Sequence, residues 1–209
     1  ETFVGAKGMI NNSLFSRISP DEIYGLHITA LPVGQIMVKA NEMFAYQKRF
    51  RIKLKNELTD EQVKELTKKI YNRLFRAEKD SKPWELQNII DPKIGLGNPD
   101  TIFKDYLIMD EKFTRYSENN ELFLEANLYE TDSENLKNIL PKIKQVIETS
   151  GFKEQLVSLS FIQENPTVMN DTKLTNSAIQ TLIKIYGSNL VVNDYGQVPY
   201  FNDDFAYFQ

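Results

Sequence analysis

A strand, a Thr-Asp helix cap and an amphipathic helix follow one another twice in this 209-residue chain, and no other feature constrains its fold more. The first copy runs from Phe50–Leu54 through Thr59-Asp60. The second runs from Leu122–Leu128 through Thr131-Asp132, 72 residues later. The second copy continues into another predicted strand, Leu156–Gln163, which completes a β-α-β unit.

The helix of the first copy carries the clearest local pattern. Thr59 and Gln62 form a capping box, in which each side chain satisfies a backbone N–H at the helix start. Apolar residues then recur at helical spacing, at Val63, Leu66, Ile70 and Leu74. The helix of the second copy is predicted to run to Gly151 and to contain Pro141.

Together these units predict an α+β fold of ferredoxin-like kind, with helices on one face of an antiparallel or mixed sheet. We expect one domain over residues 1–209, with β-α sub-repeats near 44–77 and 121–163. Duplication of one ancestral unit and convergence on a common β-α pattern both explain the sub-repeats, and convergence is slightly favoured.

Several shorter elements follow from caps and turn residues. Ser19-Pro20 opens a predicted short helix that Gly25 ends. Two strands are predicted at 27–31 and 36–40, around a turn at Pro32-Val33-Gly34. Further helices are predicted near 83–90, 99–109 and 175–187.

The chain has no cysteine and a single histidine, His27. Thiol nucleophiles, cysteine metal sites and disulfides are therefore excluded, and no second histidine can join His27 as base or ligand. No G-x-S-x-G motif marks a serine nucleophile. We interpret His27 as a structural or surface residue, and we expect no cofactor and no resident metal.

Charge argues against nucleic acid as a partner, because the net charge is −4 and the isoelectric point is near 5.2. The one basic run, Lys48–Lys55, alternates with apolar residues along a predicted strand. It either tracks an anionic polymer or forms a solvated strand face, and the solvated face is favoured. No apolar run approaches the ~18 residues that a membrane span needs.

Six large aromatic residues fall in the last fifteen residues of the chain. Such side chains are enriched at binding interfaces, but a terminal segment that packs on the core has the same composition. We favour packing, and we keep an interaction surface as the alternative. The candidate interaction residues are Tyr195, Tyr200, Phe201, Phe205 and Tyr207.

The composition carries a class-level resemblance. Lysine outnumbers arginine 19 to 6, Asn, Ile, Phe and Tyr are abundant, cysteine is absent, and the chain opens at Glu1. In this it resembles uncharacterised surface lipoproteins of low-GC Gram-positive bacteria. The resemblance implies an extracytoplasmic, surface-anchored position with a lipid anchor upstream, and a protein or cell-surface ligand as partner. The alternative is a cytoplasmic protein that lacks cysteine.

The sequence therefore favours a non-catalytic extracytoplasmic binding or scaffolding domain. One alternative is a hydrolase with a carboxylate-based site, which needs two or more acids that converge in a cleft. Asp203-Asp204 is the strongly acidic point of the tail. A second alternative is a cytosolic structural protein of a mobile element.

Overall fold

The structure, a computed structural model, describes residues 4–28, 33–78, 82, 85–199 and 203–208. Its α-helices are α1 (Val4–Ile10), α2 (Ser13–Ile18), α3 (Asp60–Leu74), α4 (Leu86–Ile89), α5 (Ser133–Thr149) and α6 (Thr172–Tyr186). Its strands are β1 (Ile36–Met37), β2 (Asn41–Glu42), β3 (Tyr46–Lys55), β4 (Leu107–Met109), β5 (Thr114–Glu118), β6 (Glu121–Glu130), β7 (Leu156–Glu164), β8 (Met169–Asn170) and β9 (Val191–Val192). Within these described ranges, no helix combines the length and the apolar character that a membrane crossing requires.

The chain divides into two compact units, whereas the sequence predicted one domain over residues 1–209. The first, called the flanking unit here, consists of Glu1–Ala45, Ser81–Lys104 and Pro166–Gln209. The second, the inserted unit, consists of Tyr46–Asp80 and Asp105–Asn165. The inserted unit contains nearly all of both predicted sub-repeats.

A sheet centred on β3 and β6 forms the inserted unit. These strands pair antiparallel over ten residues, from Tyr46 opposite Glu130 to Lys55 opposite Glu121. β7 pairs antiparallel with the other side of β3. β4 and β5 pair one after the other along the free side of β6. The predicted α+β class with an antiparallel sheet is confirmed.

Alternation along β3 and β6 determines which face of this sheet is buried. Phe50, Ile52 and Leu54 are fully buried and point to the same side, because successive residues of a strand face opposite ways. The apolar stripes of α3 and α5 cover that side. The core residues shared by sheet and helices include Leu122, Leu124, Leu128, Leu66, Ile70, Ile139, Ile143 and Ile147.

The hairpin between β5 and β6 was not predicted, because β5 is exposed throughout and lacks an apolar face. Its turn consists of Asn119 and Asn120, with φ angles of 50° and 62°. Glu118 pairs with Glu121 directly across it. Two consecutive residues with positive φ between paired strands make a type I′ turn, for which asparagine is well suited.

The basic run on β3 is balanced by carboxylates of the neighbouring strands. Arg49 and Arg51 both bind Glu125 on β6, at 2.7 and 2.6 Å. Burial alone would raise the pKa of Glu125, but hydrogen bonds from Arg51 and Tyr116 outweigh burial and lower it. Lys48 and Lys53 pair with acids on β7 and β6 in the same way. This pairing supports the predicted solvated strand face.

The flanking unit contains two short strand pairs and the helices α1, α2, α4 and α6. β1 pairs with β9 in parallel, and β2 pairs with β8 antiparallel. The 3₁₀ segment Asp204–Phe208 packs against α1, where Asp204 Oδ2 accepts a 2.7 Å hydrogen bond from the Ala6 backbone N–H. The last described segment of the chain therefore packs against its first helix.

The predicted helix over Ser19–Gly25 is wrong. The helix of this region is α2, and Ser19 is its C-cap residue in the left-handed conformation, with φ at 41°. Residues 20–28 are irregular, and Leu26 is 99% exposed. A two-turn helix here would have no apolar face to bury, so the capping pattern alone does not sustain it. Of the predicted strand 27–31, residues 27 and 28 are not in a strand and the rest lie outside the described residues.

The predicted helix near 99–109 is also wrong. Residues 100–105 form turns in which Ile102 and Phe103 are buried, and Leu107–Met109 is strand β4. Pairing with β6, which is distant in sequence, overrides the local helix pattern. The predicted helix at 83–90 is reduced to α4, and residues 83 and 84 lie outside the described part.

Leu66→Ala and Ile70→Ala should each destabilise the inserted unit by about 2–5 kcal/mol, since each leaves a cavity between α3 and the sheet. Leu66 is 1% exposed and Ile70 is fully buried. Urea denaturation followed by circular dichroism measures the change, with the exposed Lys64→Ala as the matched control on the same helix. Midpoints that match the control would show that the stripe is not part of the core.

Candidate functional site

A cleft of about 820 Å³ lies wholly within the flanking unit. Three stretches of chain, at 20–27, 37–44 and 168–178, supply its walls together with Tyr195 and residues of the segment 203–208. The first is the irregular loop that follows α2, and the third contains the start of α6. The cleft is therefore assembled from segments that are far apart in sequence.

Four carboxylates line this cleft: Asp21, Glu22, Asp171 and Asp203. Asp171 is the N-cap of α6, where its Oδ1 accepts a 2.7 Å hydrogen bond from the Leu174 backbone N–H. Asp203 Oδ1 accepts one from the backbone N–H of Phe205, at 2.8 Å. These local bonds hold the carboxylates in place and leave acceptor capacity on each.

Aromatic rings form much of the remaining wall. Phe205 and Phe208 meet edge to face with their centroids 5.7 Å apart. Tyr24 donates a 2.8 Å hydrogen bond to Glu22, and this bond raises the pKa of the phenol. Phe44 is buried beneath the cleft, with the His27 ring at 6.5 Å. The wall thus combines negative charge with apolar aromatic surface.

Tyr195 is the most deeply buried aromatic of the wall, at 2% exposure. The Lys39 ammonium lies 4.6 Å from the centroid of its ring and donates a 3.0 Å hydrogen bond to its backbone carbonyl. Burial lowers the pKa of Lys39 to about 8 and raises the pKa of the Tyr195 phenol. Tyr195 therefore has little access to water, whereas Lys39 is half-buried.

Gly196 allows Tyr195 to reach this position. Its backbone N–H donates to the Leu96 carbonyl, and Gln197 donates to the carbonyl of Phe103. A Cβ at position 196 would lie 2.3 Å from the Cβ of Phe103, which is far inside van der Waals contact. Only glycine permits this close approach of the two chain segments.

The structure brings together two of the five predicted interaction residues. Tyr195 and Phe205 both line the cleft. Tyr207 is partly buried, with the Lys7 ammonium 5.7 Å from its ring centroid, and is not in the cleft wall. Tyr200 and Phe201 lie outside the described residues.

Most of the cleft could not be recognised from local sequence patterns. The loop at 20–27 was predicted as helix and strand, so its acids were not considered as wall residues. His27, interpreted as a structural or surface residue, lies in this wall and is exposed, with its Nδ1 near the Ile28 carbonyl. Asp171 is the N-cap residue of helix α6, which begins three residues before its predicted start. The sequence pattern therefore did not mark Asp171 as a residue of the cleft.

Metal coordination needs several ligand side chains that converge on one point. In the ranges that the structure describes, no group of three or more His, Asp or Glu residues is placed to hold a metal ion.

Two solved structures share the backbone arrangement of nearly the whole chain. One is the Bacillus subtilis YxeP protein, a dinuclear metal-binding peptidase of the M20 family, with 18% identity and a TM-score of 0.64 over 99% of this chain and 49% of that protein. The other is a protein of methicillin-resistant Staphylococcus aureus described as an aminohydrolase, with 15% identity and a TM-score of 0.61 over 100% of this chain and 51% of that one.

This chain therefore spans about half the length of the solved structures that it matches. At these identities the similarity shows a shared fold, one found in peptidases of the M20 type. No family model and no curated protein matches the sequence.

The half-buried Lys39 makes a pH dependence of stability testable. Its pKa falls from the usual 10.5 to about 8 in the folded protein. Between these values the unfolded chain binds more protons than the folded chain, so this residue makes the free energy of unfolding rise with pH. From about pH 8 to pH 10, wild type should gain stability relative to Lys39→Met, measured by urea denaturation at each pH.

The comparison stops near pH 10 because Lys39 loses its proton in the unfolded chain near its usual pKa of 10.5, above which its contribution to stability no longer changes. Lys173→Met, at an exposed position on α6, serves as the control and should keep the wild-type slope. Parallel pH profiles for wild type and Lys39→Met would contradict the lowered pKa of Lys39.

Proposed function

We propose that this chain is part of an amide-bond hydrolase of the M20 peptidase type, and that the cleft of the flanking unit is its substrate-binding side. One observation carries the proposal: the backbone follows that of the Bacillus subtilis M20 peptidase over 99% of the chain, with a TM-score of 0.64. The structure described as an aminohydrolase supports the same reaction class. The carboxylate-based hydrolase was an alternative in the sequence analysis, and the comparisons favour it over the binding or scaffolding domain.

The cleft provides groups that amide hydrolysis uses. Attack of water on an amide carbonyl needs a base to take the water proton and an acid to protonate the leaving nitrogen. Carboxylates serve in both roles, and Asp21, Glu22, Asp171 and Asp203 line the walls. The same carboxylates also bind and orient the substrate, while the aromatic rings exclude water around it. Since the described residues do not form a metal-holding group, no step is assigned to a metal.

A second candidate is ligand binding without catalysis, which is the main interpretation from the sequence. The aromatic share of the cleft wall favours it, because rings such as Phe205 and Phe208 bind apolar groups without reacting. The extracytoplasmic position and the upstream lipid anchor remain predictions from the sequence resemblance.

Hydrolysis can be tested directly with the purified protein. We expect it to release free amino acid from at least one of two panels, N-acetyl amino acids and dipeptides, with Zn²⁺ or Mn²⁺ added in parallel. Mass spectrometry of the released amino acid measures the rate. Glu22→Gln and Asp203→Asn should each lower that rate by about tenfold or more if these acids orient the substrate.

Asp100→Asn is the matched control, because Asp100 is exposed and is not part of the cleft wall. Substrates that bind but remain uncleaved under every condition would support the second candidate instead. Cleavage unaffected by both cleft variants would place the reacting groups elsewhere.

A further inference from the structure

Exposed apolar side chains are concentrated on the flanking unit. Among the described residues, three large apolar side chains are exposed on the inserted unit: Tyr116, Val157 and Ile162. All the other large apolar side chains that the structure describes as exposed belong to the flanking unit, which has a similar number of residues. Single exposed apolar residues are normal, but their concentration on one part of a protein marks a surface that another segment covers.

The sheet of β1 and β9 is smaller than a stable parallel sheet. In the described part of the chain it consists of these two strands, each two residues long, with Ile36 opposite Val191. Parallel strands occur almost exclusively in sheets that are covered on both faces, and sheets usually need three or more strands to be stable. The outer edge of such a pair offers backbone groups to a further strand. The pair therefore has the geometry of a fragment of a larger sheet.

Four exposed apolar residues lie at the amino end of this pair. Val33 precedes β1 and is fully exposed, and Leu190 directly precedes β9. Because β1 and β9 are parallel, these two residues belong to the same end of the sheet. Ile185 and Tyr186 are the last residues of α6, a few positions before β9, and are 64% and 54% exposed. We call these four residues the apolar end of the flanking unit.

The comparison structures indicate how much of the fold this chain lacks. The match to the Bacillus subtilis M20 peptidase takes up 99% of this chain and 49% of that protein, with a TM-score of 0.64. The match to the structure described as an aminohydrolase takes up 100% of this chain and 51% of that one. Since nearly every residue of this chain is used in these matches, about half of each structure is polypeptide without a counterpart here.

We infer that a further segment of the same polypeptide covers the apolar end. This segment adds strands to the sheet of β1 and β9 and packs apolar side chains on Val33, Ile185 and Leu190. Its length is about that of the half of the M20-type structures that this chain does not match. A second copy of this chain fits the surface less well, because it brings the same two short strands and no new part of the fold. The inference goes beyond the proposed function, since it concerns completion of the fold and does not need hydrolysis.

The absence of cysteine from the chain allows a direct test by thiol labelling. Val33→Cys and Ile185→Cys place single thiols on the apolar end, and Lys64→Cys at an exposed position of α3 is the control. In the 209-residue chain, all three thiols should react with N-ethylmaleimide at similar rates. In the complete polypeptide that the gene encodes, the first two should react about tenfold more slowly, whereas the control keeps its rate. Peptide mass spectrometry follows each thiol separately.

A charged substitution gives a second measurement. In the 209-residue chain, Ile185→Glu changes an exposed side chain and should shift the melting temperature by about 1 °C or less. In the complete polypeptide the same substitution buries a charge, and it should lower the melting temperature by about 3 °C or more. Lys64→Glu on α3 is the matched control and should have little effect in either form. Equally small shifts for Ile185→Glu in both forms would contradict a covered apolar end.

Equal labelling rates in the two forms overturn the inference, as does a gene that encodes no further segment. Concentration-dependent protection of positions 33 and 185 in the 209-residue chain, with a dimer in analytical ultracentrifugation, also overturns it, because a second copy is then the occupant. Failure of the proposed function is a separate outcome. Protection without hydrolysis of any substrate keeps this inference and removes the hydrolase, whereas hydrolysis with both thiols unprotected in the complete polypeptide does the opposite.

Discussion

Ten consecutive residues of β3 lie opposite ten of β6, and the inserted unit depends on this register. A shift of one residue would turn Phe50, Ile52 and Leu54 away from α3 and α5 and bring the charged side chains of β3 into the core. The register also places Arg49 and Arg51 beside Glu125, so the charged side of the strand is neutralised in the same arrangement that buries its apolar side. One pairing therefore satisfies both faces of the strand.

Sequence patterns predict those elements of the fold whose stabilising contacts are close in sequence, or whose apolar residues recur at regular spacing over several turns. α3 appears with its capping box and its buried stripe because cap, stripe and helix lie within sixteen residues. The helix pattern near 99–109 failed because β4 is determined by pairing with β6, about twenty residues further along the chain. The Ser19–Gly25 pattern failed because a good cap without an apolar face to bury does not stabilise a short helix.

The candidate site was only partly predictable for the same reason. Tyr195 and Phe205 stood out as members of an aromatic tail, but their neighbours in the cleft come from loop 20–27 and from the start of α6. No local pattern relates Glu22 to Asp171 or Asp203. Their common position in the cleft is a product of the tertiary fold, and so is the position of the buried Tyr195 hydroxyl. The resemblance to M20-type structures likewise lies in the backbone arrangement, at 15–18% identity.

The central claim is that ligands bind in the cleft of the flanking unit and not on the sheet of the inserted unit. Hydrogen–deuterium exchange with and without a dipeptide such as L-phenylalanyl-L-alanine tests it most directly. The account predicts slower exchange in peptides from 20–27, 168–178 and 195–199, with β3 and β6 unchanged. Protection confined to the inserted unit would contradict it.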